Sequence, residues 1–518
     1  QTWHPEPDFV SHPRAKMGQA QSSSTESAAV AVQRMTLGHN RVLNAHSFDI
    51  GLETERLFCP QSSSCTSNDP VSGECERYLC LGLNSRLDGE GLKQTGRPRL
   101  SLAVVLDIST SMKHPFNSGS RVAEAESRLH VVKRGLMDFL PRLRAEDSFS
   151  LILSSSLKKT TLLPLQRVVE DSIPQVAHSI SWIACDGGSG GVYLQEAVED
   201  AAKSLLEDSS EEGSDDVERR ILVLTGHVPY FSGGDSTDPL NVVAHQAQGV
   251  QTTVVGLGLE LPSELSARIS GVPGCSVLSV ASSLEWRRQV VEAFEHIMLP
   301  AAFNVSVRFQ SDEFDVEKIY GSPGIETINP DGGIVRLPTL FPALRTPAGH
   351  TRRGVVLLLL RPKPGRSLDA PVAGILRVAY QDRKQQWHTD TQTATFHAEE
   401  ADADAPAHAV ADDDEEDFAL VQRSDVFQGT AVRKAVALVR YVNCFQTWLP
   451  LERARQDPAQ RREVEAQMRA QGKVMRRMVS YLEGEAHAVG DPKLLEARDE
   501  VELLASRCAD NSDSCHQQ

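Results

Sequence analysis

The sequence predicts an α/β protein: a doubly wound, mostly parallel, Rossmann-like sheet, joined to a β-sandwich and a C-terminal helical hairpin. Three observations predict it. Apolar-rich segments at 100–106, 221–224 and 252–257 have the composition of strands buried on both faces, and helical patterns separate them. From Ala302 the apolar period changes to two, as in a sheet with one buried face. After residue 430 it changes again, to helical spacing.

Each segment follows from its own residues. Positions 1–35 are rich in Ser, Gln and Ala, lack apolar periodicity, and are expected to be a flexible arm. Positions 36–96 carry strand-length alternation around a cysteine-rich loop and are assigned to the sandwich. If so, the α/β unit at 97–300 is inserted into it. Within that unit, Leu129, Val132, Leu136, Phe139, Leu140 and Leu143 share one face of a helix expected over 122–143. Asp147-Ser148 makes a turn into a strand at 149–153. A helix follows Gly191, and a helix over 284–298 closes the unit. In 301–396, Phe303, Val305, Val307 and Phe309 alternate, and strand-length runs follow at 335–337, 355–360 and 375–380, separated by Gly and Pro. Positions 397–425 are an acidic linker, with Glu399, Glu400 and the run Asp412 to Asp417. Positions 426–508 form the helical hairpin, expected to pack on the sandwich as support, and 509–518 are a tail.

Composition narrows the function. The net charge of −17 argues against nucleic acid or an anionic membrane as the main partner. No run approaches the ~18 apolar residues of a membrane-spanning helix. The chain begins at Gln1 without the basic-then-apolar pattern of a signal peptide, so the expectation is a processed chain or a fragment, of undetermined compartment. Cys59, Cys65, Cys75 and Cys80 crowd together without the paired C-x-x-C spacing of a zinc site. A disulfide-pinned loop and free thiols both remain open there, and Cys508 with Cys515 is a candidate local pair.

The motif with chemical content is Asp107-Ile108-Ser109-Thr110-Ser111, at the end of the first buried strand. Ligands of open α/β sheets bind beyond the carboxyl ends of the strands, where the strand order reverses. One carboxylate and two hydroxyls within a single turn suit a hard cation such as Mg²⁺ or Mn²⁺. Here the chain resembles the von Willebrand factor type A (vWA) family, over 97–300. The strand and turn from Leu102 to Met112 are similar to that family's first strand and metal loop. Arg144 to Phe149, Ile221 to Thr225 and Val254 to Gly258 are similar to later parts. The region 303–380, including Ile319-Tyr320-Gly321-Ser322-Pro323, resembles the sandwich that accompanies the vWA unit in inter-α-trypsin-inhibitor heavy chains and plant RING-vWA proteins.

The resemblance implies a metal ion-dependent adhesion site built by three loops. It carries Asp107, Ser109 and Ser111 onto the first. On the second, Ser189 follows Gly187-Gly188 and is the candidate ligand; in the other alignment Gly190-Gly191 match and Val192 stands where Thr belongs. On the third, Thr225-Gly226-His227 replaces Thr-Asp-Gly, so a carboxylate is lost. The expected function is protein–protein binding or scaffolding through a degenerate adhesion site, with a cation, if bound, bridging to an acidic side chain of the partner. A metal-independent scaffold using the same loops or the sandwich is the alternative.

Two enzymatic readings are weaker. Gly187-Gly188-Ser189-Gly190-Gly191 satisfies G-x-S-x-G, which would make Ser189 a hydrolase nucleophile, but this leaves the Asp107 turn unexplained and supplies no oxyanion-hole segment. The N-terminal cysteines do not supply the ligands of a RING-type ubiquitin ligase. The expectation is a protein without enzymatic activity.

Overall fold

The computed structural model describes residues 48–50, 58–116, 126–186, 188, 193–208, 216–226, 240–258, 261, 263–321, 326–329, 332–344, 351–365, 372–396, 426–455, 457 and 459–509. The arm, the acidic linker and the tail beyond Ala509 lie outside these residues, as do Ser189 and His227.

At the centre is a six-stranded sheet. In spatial order its strands are Lys159–Arg167, Ser148–Ser154, Arg99–Asp107, Val217–Thr225, Val250–Leu257 and Ser276–Val280. All neighbours are parallel except the edge strand Lys159–Arg167, which runs antiparallel to Ser148–Ser154. The chain starts in the middle with Arg99–Asp107, winds to one edge, returns to the other side of that strand, and winds outward again. The strand order therefore reverses beside Asp107. Alternate residues of the first strand feed two cores. Leu102, Val104 and Leu106 pack under the helices Arg128–Phe139 and Ile173–Ser181. Ala103 and Val105 pack under Leu194–Leu206. This two-sided burial is the physical reason for the apolar-rich strand segments.

Local departures have local causes. The helix expected over 122–143 is regular over Arg128–Phe139 and ends as a 3-10 turn, Leu140–Arg142, at Pro141; residues 121–125 lie outside the described residues. The closing helix is broken into Ser283–Trp286, a π-helical stretch Arg287–Glu292, and Phe294–Met298. The edge strand Lys159–Arg167 has no fully buried residue, so its sequence carried no two-faced apolar signal.

The second layer pair is a sandwich. One sheet runs Glu326–Asn329, Gly332–Leu340, Ala302–Ser311, Val372–Gln381, Trp387–Phe396. The other runs Phe314–Tyr320, Val356–Pro362, Cys75–Ser85, Phe58–Asn68, Val426–Phe427. Leu79, Leu81 and Leu358 from one sheet meet Val305, Val307 and Phe309 from the other. Strands before and after the α/β unit thus share one sheet. The four crowded cysteines lie on a long antiparallel hairpin, with Cys65 opposite Tyr78 and Cys80 opposite Ser63. Cys75 and Cys80 are free thiols. Cys508 is also free, and its suggested partner Cys515 lies outside the described residues.

Three helices, Thr430–Arg455, Arg461–Val489 and Lys493–Ala509, follow. Val432, Val436 and Val439 share a core with Tyr78, Tyr320 and Leu357 of the sandwich. A buried polar junction fixes their seat: Arg440 Nη2 lies 2.9 Å from Glu76 Oε2, and Arg440 Nη1 donates to the Tyr481 hydroxyl at 3.0 Å. The α/β unit is tied to the sandwich by Gly274 N donating to Thr339 Oγ1 (2.6 Å) and by Arg383 paired with Glu218 (2.9 Å).

Candidate functional site at the strand tips

Asp107 ends the first strand and is fully buried, although it faces the crevice where the strand order reverses. Its carboxylate is committed to the protein. Oδ1 accepts from Ser109 N at 2.8 Å. Oδ2 accepts from Thr225 Oγ1 at 2.9 Å and from Ser111 Oγ at 3.4 Å. The amide of Gly226 also donates to it. Burial pushes the Asp107 carboxyl above the usual carboxylate value, against the lowering effect of the bonds from Ser109, Thr225 and Gly226.

The turn that follows brings the two serines together. Ser109 Oγ and Ser111 Oγ are 3.0 Å apart. Between them Thr110 points to the second loop, where its hydroxyl (2.6 Å) and its amide (3.2 Å) both donate to Gly188 O. That loop is fastened again by Asp186, whose amide donates to Ile108 O at 2.8 Å and whose Oδ2 accepts from Ser156 N at 2.7 Å. Gly188 must be small, because a Cβ there would come within 2.4 Å of Ser156 Cβ. Asp107, Ser109 and Ser111 are thus gathered as the motif predicts. Ser189 falls outside the described residues, so neither alignment of the second loop is decided by its side chain.

The third loop departs furthest. At Gly226 a side chain would begin 2.8 Å from Ser111 Oγ and 3.2 Å from Arg128 Nη1. Arg128, the first residue of its helix, sends its guanidinium into this space. Nη1 donates to Ser111 O at 3.4 Å and to Gly226 O at 3.3 Å. Gly258, at φ +110°, would place a Cβ 2.6 Å from Nη2. Arg128 therefore lies against glycines that directly follow two adjacent strands. Neither Arg128 nor Asp186 was singled out from sequence, since each reads as an ordinary surface charge. The signal that existed was the pair of glycines, 226 and 258, immediately past apolar strands.

The donor set can be tested against a cation. Octahedral Mg²⁺ with arms of ~2.1 Å has adjacent ligand oxygens about 3 Å apart. Ser109 Oγ and Ser111 Oγ meet that spacing. The remainder does not fit: Asp107 is the one carboxylate of the first loop and is already multiply bonded, position 226 has no side chain, and a guanidinium stands beside the turn. Among the described residues no group of three His, Cys, Asp or Glu side chains is placed to hold a metal.

Above the buried turn, the described surface is mixed. Leu157, on the hairpin bend next to Asp186, is 74% exposed. Lys113 and His114 are exposed at the end of the first loop. No helix among the described residues is long and apolar enough to cross a membrane.

No family model matches this chain, and no curated protein matches it. Solved structures similar to it include vWA proteins. A von Willebrand factor type A protein from Catenulispora acidiphila is 12% identical, with a TM-score of 0.38, covering 68% of this chain and 74% of its own. The ArnB paralog VWA2 from Sulfolobus acidocaldarius is 13% identical, with a TM-score of 0.37, covering 87% of this chain and 98% of its own. Proximal thread matrix protein 1 from the mussel byssus, with a zinc-occupied MIDAS motif, is 12% identical, with a TM-score of 0.29, covering 39% of this chain and 48% of its own. Identities and scores this low leave the strand order and the strand-tip geometry as the grounds for function.

Proposed function

We propose that this chain is a protein-binding scaffold, not an enzyme, that presents the tips of its parallel sheet to a partner over a degenerate adhesion site. The observation that carries the reading is the Asp107 turn: it crowns the central strand at the reversal of strand order, yet its carboxylate is spent on Ser109, Thr225 and Gly226. A buried, saturated carboxylate organises loops; it is not available for proton transfer. The partner would meet the loops around 107–117, 186–192 and 226–236; Lys113 and His114 on the first loop and Leu157 on the neighbouring hairpin bend form the described border. Lys113 and His114 suit an acidic side chain on that partner.

The test is affinity capture with the full chain, with and without chelator, beside a variant carrying Leu157→Glu and Lys113→Glu. The expected result is a partner set retained in chelator and lost with the double variant. Retention of the same set by the double variant would remove the strand tips from the function. A fluorophosphonate probe is expected to leave Ser189 unlabelled.

A further inference from the structure

The misfit between the cation and its loops has a specific cause: the place of the third-loop acid is filled from below. We propose that Arg128 is a resident cation that does for these strand tips what a divalent ion would otherwise do, holding them in one arrangement at all times. The proposal shares only its location at the strand tips with the recognition reading, and its test needs no partner, so either can fail alone.

The argument is geometric. A bound ion organises an adhesion site because it contacts several loops at once, with oxygen ligands drawn from each. The Arg128 guanidinium also contacts several loops at once, and it too is received by oxygens. It donates to Ser111 O in the first loop and to Gly226 O in the third, and it lies along the backbone of Gly258 after the next strand. The planar fork of arginine suits this, since it presents several donors in fixed directions. The side chain is 6% exposed, so it belongs to the floor of the site and not to its surface.

Its anchorage is equally local. Ser127 caps the helix by accepting from His130 N at 3.2 Å, and Arg128 N donates to His114 O at 2.9 Å. The backbone that carries the guanidinium is therefore tied to the end of the same loop the guanidinium supports. The room is made by absence of side chains. An acid at 226 would start 3.2 Å from Nη1, tighter than an ordinary contact, so a third-loop carboxylate would enter the space that the guanidinium now holds and displace it from its carbonyl partners. Arginine at 128 and glycine at 226 are thus alternatives to a metal and an acid.

The test titrates Mn²⁺ into the full chain and follows its thermal midpoint in excess chelator and in excess Mg²⁺. Four proteins are compared: wild type, Arg128→Lys, Arg128→Gln, and Arg128→Gln with Gly226→Asp. Wild type is expected to show no saturable Mn²⁺ binding and the same midpoint in both media. Arg128→Gln is expected to lower the midpoint by several degrees, with Arg128→Lys recovering part of the loss. The double variant is expected to bind one Mn²⁺ and to gain thermal stability from it. Saturable Mn²⁺ binding by wild type that Asp107→Ala abolishes would overturn the proposal, and this measurement does not depend on any variant of Arg128 folding. A folded double variant indifferent to Mn²⁺, or an Arg128→Gln protein as stable as wild type, would overturn it too.

Discussion

The hydroxyl of Thr225 donates to Asp107 across two adjacent parallel strands, at 2.9 Å and out of contact with water. With Ser109 N and Gly226 N it completes a set of donors that all depend on one carboxylate. Asp107→Ala orphans this set. Each buried group left without a partner costs ~1–3 kcal/mol. The expected loss is about 3 kcal/mol in denaturant unfolding at neutral pH. A loss within a few tenths would mean that the turn is not held by its acid.

The same carboxyl gives a pH dependence with a definite sign. Burial raises its folded-state value above the ordinary 3.8, so the native protein keeps a proton that the unfolded chain has released. Asp107 therefore lowers stability as pH rises from 3.8 through the raised value, and contributes no slope outside that window. Glu76 is also raised by burial and adds a slope of the same sign. Subtracting the profile of Asp107→Asn from that of wild type isolates Asp107, and the difference should fall with rising pH across that window. A difference that rises with pH would show that hydrogen bonding outweighs burial.

At the seat of the helical unit, Arg440→Met removes the guanidinium from Glu76 and from the Tyr481 hydroxyl. Breaking a buried ion pair from one side costs ~3–5 kcal/mol, and the partial exposure of Glu76 places the expected loss at the lower end. Adding Glu76→Gln should recover part of it. Full additivity of the two substitutions in unfolding experiments would contradict a coupled junction.

Gly135→Ala should destabilise, although alanine is better than glycine within a helix by ~1 kcal/mol. The new methyl would lie 2.1 Å from Trp286 Nε1 and 2.8 Å from Cε2, in a core where Trp286 is 2% exposed. Overpacking of this kind costs ~1–3 kcal/mol. The indole N–H resonance of Trp286 should shift as well, and a stabilised variant would show that the ring has room to yield.

Thiol chemistry should separate the cysteines of the long hairpin. Cys75 is exposed, Cys65 and Cys80 are buried, and burial pushes the Cys80 thiol up to about 12. A disulfide reagent applied to the native protein should modify Cys75 first and reach Cys80 only on unfolding. Early modification of Cys80, mapped by peptide mass, would contradict this packing.

How much the sequence revealed depended on how many faces each element buries. The strands Arg99–Asp107, Val217–Thr225 and Val250–Leu257 were legible because both faces are covered and their segments are rich in apolar residues. The short strand Ser276–Val280 and the exposed edge Lys159–Arg167 were not, because neither is covered in that way. In the site, Asp107, Ser109 and Ser111 were legible through their spacing within one turn. Arg128 was not: a charged residue opening a helix is ordinary, and only the third dimension shows its side chain turning inward beneath Ser111 and Gly226.

The sharing of one sheet by Cys75–Ser85 and Val356–Pro362 has a consequence for biosynthesis. On the ribosome, the early hairpin must wait for its neighbour until everything between them has been made. The intervening Rossmann-like unit has mostly local windings and can fold during that delay, whereas closing the distant pairing first would carry a large loop-closure cost. Its ends, once folded, bring the two halves of the sandwich within reach. A lesion in the inserted unit should therefore reduce yield of the whole chain, by leaving the waiting hairpin, with its row of unpaired edge amides, open to the wrong partner.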